Sequence, residues 1–318
     1  MERLVLGTMN IRYKHTSCTD DGENERILCH FLRTSPRPIL DTASYYDEAA
    51  LGEILARNEI DASKAVLATK ANPWYENDFT SGILGQLSPF HLERQLNESR
   101  KRLGRVDIFY LHCPDYETPL VDTLSAADTL WRQEKFGRFG LSNFSKTQLE
   151  DVLNLCEDHG YIQPTYYQGM YNLLCRKVEE IFPILDANGI EFWAYNPLAG
   201  GLLTGKYRDD PQLQKASRFH NNSIYQNIFW KPEMVDAYDT FLNKISPTTN
   251  PTALAFDWLH RHSRLRPQDK IVLGVSTHTQ LEQNLSFFSS TQQEESITPS
   301  FFETLYEQVR EISPNYFY

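Results

Sequence analysis

Apolar residues in this chain follow two rhythms that take turns along its length. Short, nearly continuous apolar runs read as β-strands at Leu4–Leu6, Ile39–Thr42, Val66–Thr69, Ile108–His112, Phe139–Ser142, Thr165–Gln168, Glu191–Tyr195 and Lys270–Val275. Strands covered on both faces need this composition, whereas half-exposed ones alternate. Between them apolar residues return every three or four positions, the period of a helix with one buried face. Leu92, Leu96, Ser99 and Leu103 share such a face, as do Val178, Ile181, Phe182 and Leu185. Gly104, Gly160 and Gly189 stand where helices should stop, because helix C-caps are often left-handed. Asp41-Thr42 and Ser142-Asn143-Phe144-Ser145 read as strand ends running into turns or helix caps.

Strand and helix alternating over the whole length predict an α/β fold on a parallel sheet. Eight such units predict that the sheet closes, giving a single (β/α)8 TIM barrel domain over residues 1–318. A doubly wound sheet would carry glycine-rich phosphate chemistry after its first strand, and Leu6-Gly7-Thr8-Met9-Asn10 lacks it. The longest interruption is a polar loop after strand seven, Gly205–Pro232, on the face where such barrels keep their chemistry.

Charge narrows the partners. The 318 residues carry 31 Lys and Arg against 42 Asp and Glu, a net charge of −11. Such a balance offers no positive field for a nucleic acid or an anionic membrane, so neither is an expected partner. No apolar run is long enough to cross a bilayer. Met1–Gly7 reads as a strand and not as a secretion signal. Cys18, Cys29, Cys113, Cys156 and Cys175 form no C-x-x-C pair. Reduced thiols, no metal and a cytoplasmic location are therefore expected.

A barrel of this kind does its chemistry at the C-terminal strand ends. There the chain places Asp41, with Tyr46 five residues on, then Lys70, then His112. Each alone has an ordinary reading, as a helix cap, a solvated charge or a structural imidazole. Together they form an acid–base set. A phenol keeps its proton near neutral pH and becomes a useful acid when a cation stabilises its phenolate. Lys70 supplies that cation, Asp41 orients it, and His112 reaches a substrate oxygen or the phenol. The set suits protonation of a carbonyl oxygen.

Three other patterns carry less. Gly200-x4-Gly205-Lys206 misses the phosphate-loop signature because Tyr207 replaces its Ser/Thr. His260 and His262 are two apart in a helical stretch, so they face different ways. Cys113 alternates away from His112 and reads as a packed thiol.

Asp41-Thr42-Ala43-Ser44-Tyr45-Tyr46, Thr69-Lys70 and Tyr110-Leu111-His112 resemble the catalytic tetrad motifs of the aldo-keto reductases, and Gly140-Leu141-Ser142-Asn143-Phe144 resembles that family's strand-five motif. The likeness runs from about Leu4 to the C-terminus. It is closest to the aflatoxin-aldehyde (succinic semialdehyde) reductase branch through Tyr167–Asn172, Ala194–Tyr207, Leu281–Leu285 and Pro314–Phe317. The resemblance implies NADPH extended across the barrel mouth and a small-molecule carbonyl substrate. By resemblance Ser142, Asn143 and Gln168 hold the carboxamide and Tyr195 stacks on the nicotinamide. Asn196, Pro197, Leu198, Gly200 and Lys206 line the pyrophosphate, and Arg218 meets the 2′-phosphate. Gly274, Ser276, Gln280, Gln283 and Asn284 hold the adenine end. The branch also implies a homodimer.

Two arginines that the branch uses to meet acidic substrates are missing. The chain reads Tyr225-Gln226-Asn227-Ile228-Phe229-Trp230-Lys231 at one place and ends Phe317-Tyr318 at the other. Losing a cation–carboxylate pair weakens an acidic substrate by about 1.5–3 kcal/mol. Neutral or aromatic carbonyls are therefore expected, in a pocket drawn from Tyr45, Trp74, Tyr75, Tyr225, Phe229 and Trp230. Two alternatives stand beside a general carbonyl reductase. One is a tailoring reductase of a single complex ketone, enone or imine, and the other is an NADPH-binding regulatory subunit of the potassium-channel β type.

Overall fold

The apolar runs pair side by side, all parallel, into a closed barrel in chain order. The strands are β1 (Leu4–Gly7), β2 (Ile39–Asp41), β3 (Val66–Ala71), β4 (Ile108–Leu111), β5 (Arg138–Ser142), β6 (Tyr166–Met170), β7 (Glu191–Tyr195) and β8 (Lys270–Gly274). The seam closes with Val5 opposite Val272. The computed structural model describes residues 2–12, 21–57, 61–78, 82–207, 219, 222–289 and 298–317.

Strand limits move slightly from the sequence expectation. β2, β4 and β8 stop one residue short, before Thr42, His112 and Val275. β3 instead continues through Lys70 and Ala71, which pair with Tyr110 and Leu111. A charged residue can stay in the ladder there because its ammonium is neutralised inside the barrel.

Around the strands lie α1 (Asp21–Leu32), α2 (Glu48–Leu55), α3 (Pro89–Leu103), α4 (Leu120–Arg132), α5 (Lys146–His159), α6 (Phe182–Ala187), α7 (Ser223–Phe229), α8 (Pro232–Leu242), α9 (Pro251–Asp257), α10 (His278–Ser289) and α11 (Pro299–Val309). The α3 face predicted from Leu92, Leu96, Ser99 and Leu103 is the buried one. α5 starts from a capping box of Ser145 and Gln148 and ends at left-handed Gly160. Val178–Leu185 is not one helix. A 3-10 turn over Lys177–Ile181 precedes α6, whose first turn carries Pro183. Proline removes an N–H and suits the start of a helix. The expected loop Gly205–Pro232 contains α7, because the Asn222 side chain accepts the Tyr225 N–H and caps it. Trp258–His262 is a π-type turn in which His260 meets Arg3 and His262 meets Asp257, so the two histidines do diverge. Among the described residues no helix is long and apolar enough to cross a membrane.

The barrel interior has its own apolar plug of Val5, Ala68, Ile108, Tyr110, Trp193 and Val272. A larger core lies between the strands and the helices. Gly140 leaves room for the Tyr110 ring, since a Cβ there would stand 2.4 Å from that ring.

Candidate active site

Strand alternation sends Asp41 from β2 and Lys70 from β3 into the barrel above this plug. Lys70 is 1% exposed and Asp41 3%, so neither charge is solvated. Lys70 Nζ donates to both Asp41 oxygens at 2.7 Å and to the Thr42 carbonyl at 2.8 Å. The three N–H groups of the ammonium are thereby all used. Gln168 on β6 donates a further bond to Asp41 at 3.0 Å. Burial lowers the Lys70 pKa, and the Asp41 charge opposes that shift. A buried pair holds its charges only when the hydrogen bonds are as complete as these.

Tyr46 lies in the loop after β2, where its N–H donates to the Ala43 carbonyl. Lys70 Nζ is 5.7 Å from the centre of its ring. The His112 ring faces the Tyr46 ring edge-on at 6.1 Å. Burial, and then the Lys70 charge, lower the His112 pKa to about 3. This imidazole is therefore neutral near pH 7 and works as a hydrogen-bonding group, not as a cation. Its Nδ1 is buried without a hydrogen-bond partner among the described residues. The structure thus brings Asp41, Tyr46, Lys70 and His112 to one place at the barrel mouth.

Tyr45 and Trp74 join them, with ring centres 5.6 Å apart and Trp74 5.2 Å from His112. Burial raises the Tyr45 pKa, while the charges of Arg12 and Asp78 act on it in opposite directions. Tyr75 beside them is 46% exposed. The other proposed pocket aromatics form a separate cluster on the loop after β7. Tyr225 covers Gly200, where a Cβ would meet its ring at 2.8 Å. Trp230 packs against Tyr207 and Phe219 at 5.2 and 4.8 Å. Phe229 is wholly buried in the core, so it has no surface to offer a substrate in this arrangement.

Those expected cofactor residues that the structure describes lie on or after β5, β6, β7 and β8. Asn143 takes a positive φ of 62° after β5, as short polar residues tolerate. Its amide donates to the His112 carbonyl at 2.9 Å and to Ser142 Oγ at 3.1 Å. Its side-chain oxygen accepts the Tyr195 hydroxyl at 2.8 Å. Asn196, Pro197, Leu198 and Gly200 follow β7, with Asn196 also at positive φ. Lys206 is exposed, with Nζ 4.8 Å from the Tyr207 ring. Gly274, which ends β8, and Gln280 and Gln283 beyond it are exposed, whereas Asn284 is buried. The Ser276 N–H donates to Gln280 Oε1 at 2.9 Å. Arg218 lies outside the described residues.

These positions suit a long, anionic, amide-bearing cofactor of the nicotinamide dinucleotide class. Buried amides stand beside the acid–base set, the loop after β7 turns through Gly200 and Gly201 at positive φ, and Lys206 supplies positive charge beyond it.

Sequence reasoning missed the groups that hold this layer. Glu48 on α2 is 1% exposed. It accepts from Thr69 at 2.5 Å, Ser99 at 2.9 Å and Arg102 at 3.2 Å, and burial raises its pKa. Polar Ser99 on an apolar helix face was the available signal. Gln95 accepts from Ser44 Oγ and the Asn72 N–H and donates to the Asn72 carbonyl, tying the loop that carries Tyr46 to the one that carries Trp74. Asn10 donates to Val275 O and Ser276 Oγ across the barrel seam. Cys113 is buried, which pushes its thiol pKa up, in line with a packed group.

A family profile described as Aldo/keto reductase family matches residues 3–299. The chain is 41% identical to aflatoxin B1 aldehyde reductase member 2 of Rattus norvegicus, covering 98% of this chain and 87% of the rat protein. It is 38% identical to aflatoxin B1 aldehyde reductase member 4 of Homo sapiens, covering 87% of each. An aldo-keto reductase of Pseudocercospora fijiensis is 34% identical over 78% of this chain and 86% of its own length.

Proposed function

The chain belongs to the aldo/keto reductase family, NAD(P)H-using oxidoreductases of aldehydes and ketones, and from that premise we propose that it reduces a neutral or aromatic carbonyl to an alcohol with NADPH. Bound NADPH supplies the hydride that reaches the carbonyl carbon. Tyr46 gives its phenolic proton to the carbonyl oxygen. Lys70 stabilises the phenolate left behind, and Asp41 fixes the ammonium and keeps it charged. Neutral His112 hydrogen-bonds the substrate oxygen and sets its angle to Tyr46. Ser142, Asn143 and Gln168 would hold the carboxamide and Tyr195 the nicotinamide ring. Asn196, Pro197, Leu198, Gly200 and Lys206 would hold the pyrophosphate, Arg218 the 2′-phosphate, and Gly274, Ser276, Gln280, Gln283 and Asn284 the adenine end.

The observation that carries this reading is the Lys70 ammonium, fully bonded to Asp41 and Thr42 and 5.7 Å from the Tyr46 ring. It is a fixed positive charge beside a phenol at the barrel mouth. A preference for neutral substrates is supported by the mouth itself. Tyr45 and Trp74 wall it, and Arg12 and Asp78 set opposite charges around Tyr45. Oxidation of NADPH is followed by absorbance over neutral aromatic, aliphatic and acidic carbonyls, with Tyr46→Phe alongside. The wild type is expected to favour the aromatic set, and the variant to lose at least about 10²-fold in turnover, as removal of a general acid should. Equal turnover by the variant would sink the mechanism. Preference for an acidic semialdehyde would sink the substrate class. NADPH binding without any reduction would turn the reading toward the regulatory subunit. We take the whole chain as one barrel domain, and the dimer implied by its branch is checked by sedimentation.

A further inference from the structure

Outside the barrel mouth, α1 and α10 pack side by side and bring three ligating side chains together. His30 comes from the last turn of α1, while His278 and Glu282 lie four residues apart on α10. Residues at that spacing share one helix face. His30 Nδ1 and His278 Nε2 are 2.8 Å apart. Glu282 Oε2 lies 3.6 Å from His278 Nδ1, so His278 meets His30 and Glu282 with different ring nitrogens. The three side chains each offer one ligand atom, all within 4.8 Å of one another. Nitrogen and oxygen ligands about 2.0–2.2 Å from a tetrahedral ion stand roughly 3.4 Å apart, so the side chains must rotate for one His278 nitrogen to share an ion with both partners.

The geometry points to a divalent transition-metal site, of the zinc class, held by His30, His278 and Glu282 with water in the fourth position. Two imidazoles and a carboxylate form a donor set that suits zinc and leaves one position open. Each imidazole would bind the ion through one bare nitrogen and keep its proton on the other. Glu23 accepts the His278 backbone N–H at 2.5 Å and thus fixes the first turn of α10. Its carboxylate is itself paired with Arg26, so Glu23 and Arg26 put charges of both signs near the first turn of α10. Both histidines are half-buried and Glu282 is exposed, which leaves an entry path. The sequence hides this site because His30 and His278 meet only when the barrel closes.

Because His278 sits between Ser276 and Gln280, a bound ion also steadies the turn assigned to the adenine end of NADPH. That coupling rests on the proposed cofactor placement, whereas the metal site does not. The test titrates chelator-stripped, full-length protein with Zn²⁺ by calorimetry and with Co²⁺ by visible absorption, first without cofactor. One equivalent is expected, with a tetrahedral Co²⁺ spectrum. His30→Gln and His278→Gln should each weaken binding at least about 10-fold, the scale on which even outer groups affect metal sites. Glu282→Gln, an exposed change that spares the fold, should weaken it too. No binding by the wild type, or equal binding by all three variants, overturns the proposal. If metal binds as expected but NADPH affinity is unmoved, only the coupling fails.

Discussion

The floor and the mouth of the barrel interior are built by the same strands, one inward step apart. Moving from floor to mouth changes Ile39 into Asp41 on β2, Ala68 into Lys70 on β3, Tyr166 into Gln168 on β6 and Trp193 into Tyr195 on β7. The floor is an apolar plug in which the Tyr110 ring packs at a tilt against Trp193, 5.8 Å between centres. The mouth is polar, yet Asp41 and Lys70 are as hidden from water as the plug. Low dielectric serves opposite ends in the two layers. Below, it is the product of close packing. Above, it raises the worth of a charge placed beside the acid.

The sharpest way to break this contrast is to remove one charge above the plug. Asp41→Ala leaves Lys70 buried without its carboxylate and should cost about 3–5 kcal/mol of stability, read by urea unfolding. A loss near zero would mean that water reaches the ammonium. Below, Gly140→Ala pushes a methyl against the Tyr110 ring and should cost about 1–3 kcal/mol. Reductase activity per folded molecule should survive better in Gly140→Ala than in Asp41→Ala.

The third test uses pH. The folded His112 pKa is depressed to about 3, below the unfolded value of about 6.5. Between those values the unfolded chain binds the extra proton, so stability is lost as pH falls from about 6.5 toward 3. The contribution is up to about 1.4 kcal/mol per pH unit. His112→Gln should flatten that slope in unfolding curves taken across the window. The smallest effect is expected at Tyr110→Phe. The Tyr110 hydroxyl is buried without a hydrogen-bond partner among the described residues, so its removal should leave stability unchanged or raise it by about 1 kcal/mol. A clear loss would show that the floor is wetter than the plug implies.

What the sequence made legible follows from this layering. Eight apolar runs were readable because parallel strands must be apolar on both faces, and Asp41, Lys70 and His112 stood out as charges or polar groups interrupting them. The support was harder to read. Glu48 looks like any acidic first-turn helix residue, and its partners Thr69, Ser99 and Arg102 come from two other elements. Gln95 likewise becomes interpretable only when the loops after β2 and β3 are seen to meet on it. α7 was hidden for a local reason, since a single Asn222 cap in polar surroundings sets its start.

The β1–β8 seam has a bearing on synthesis. Val5 on the first strand is made well before its partner Val272 on the eighth. Until then the nascent chain holds a sheet with two open edges, and an open apolar edge invites pairing with other chains. The final strand therefore both finishes the structure and ends its most aggregation-prone interval. Arg3, which donates to the backbone of Arg266 and Asp269 just before β8, helps to hold that seam shut.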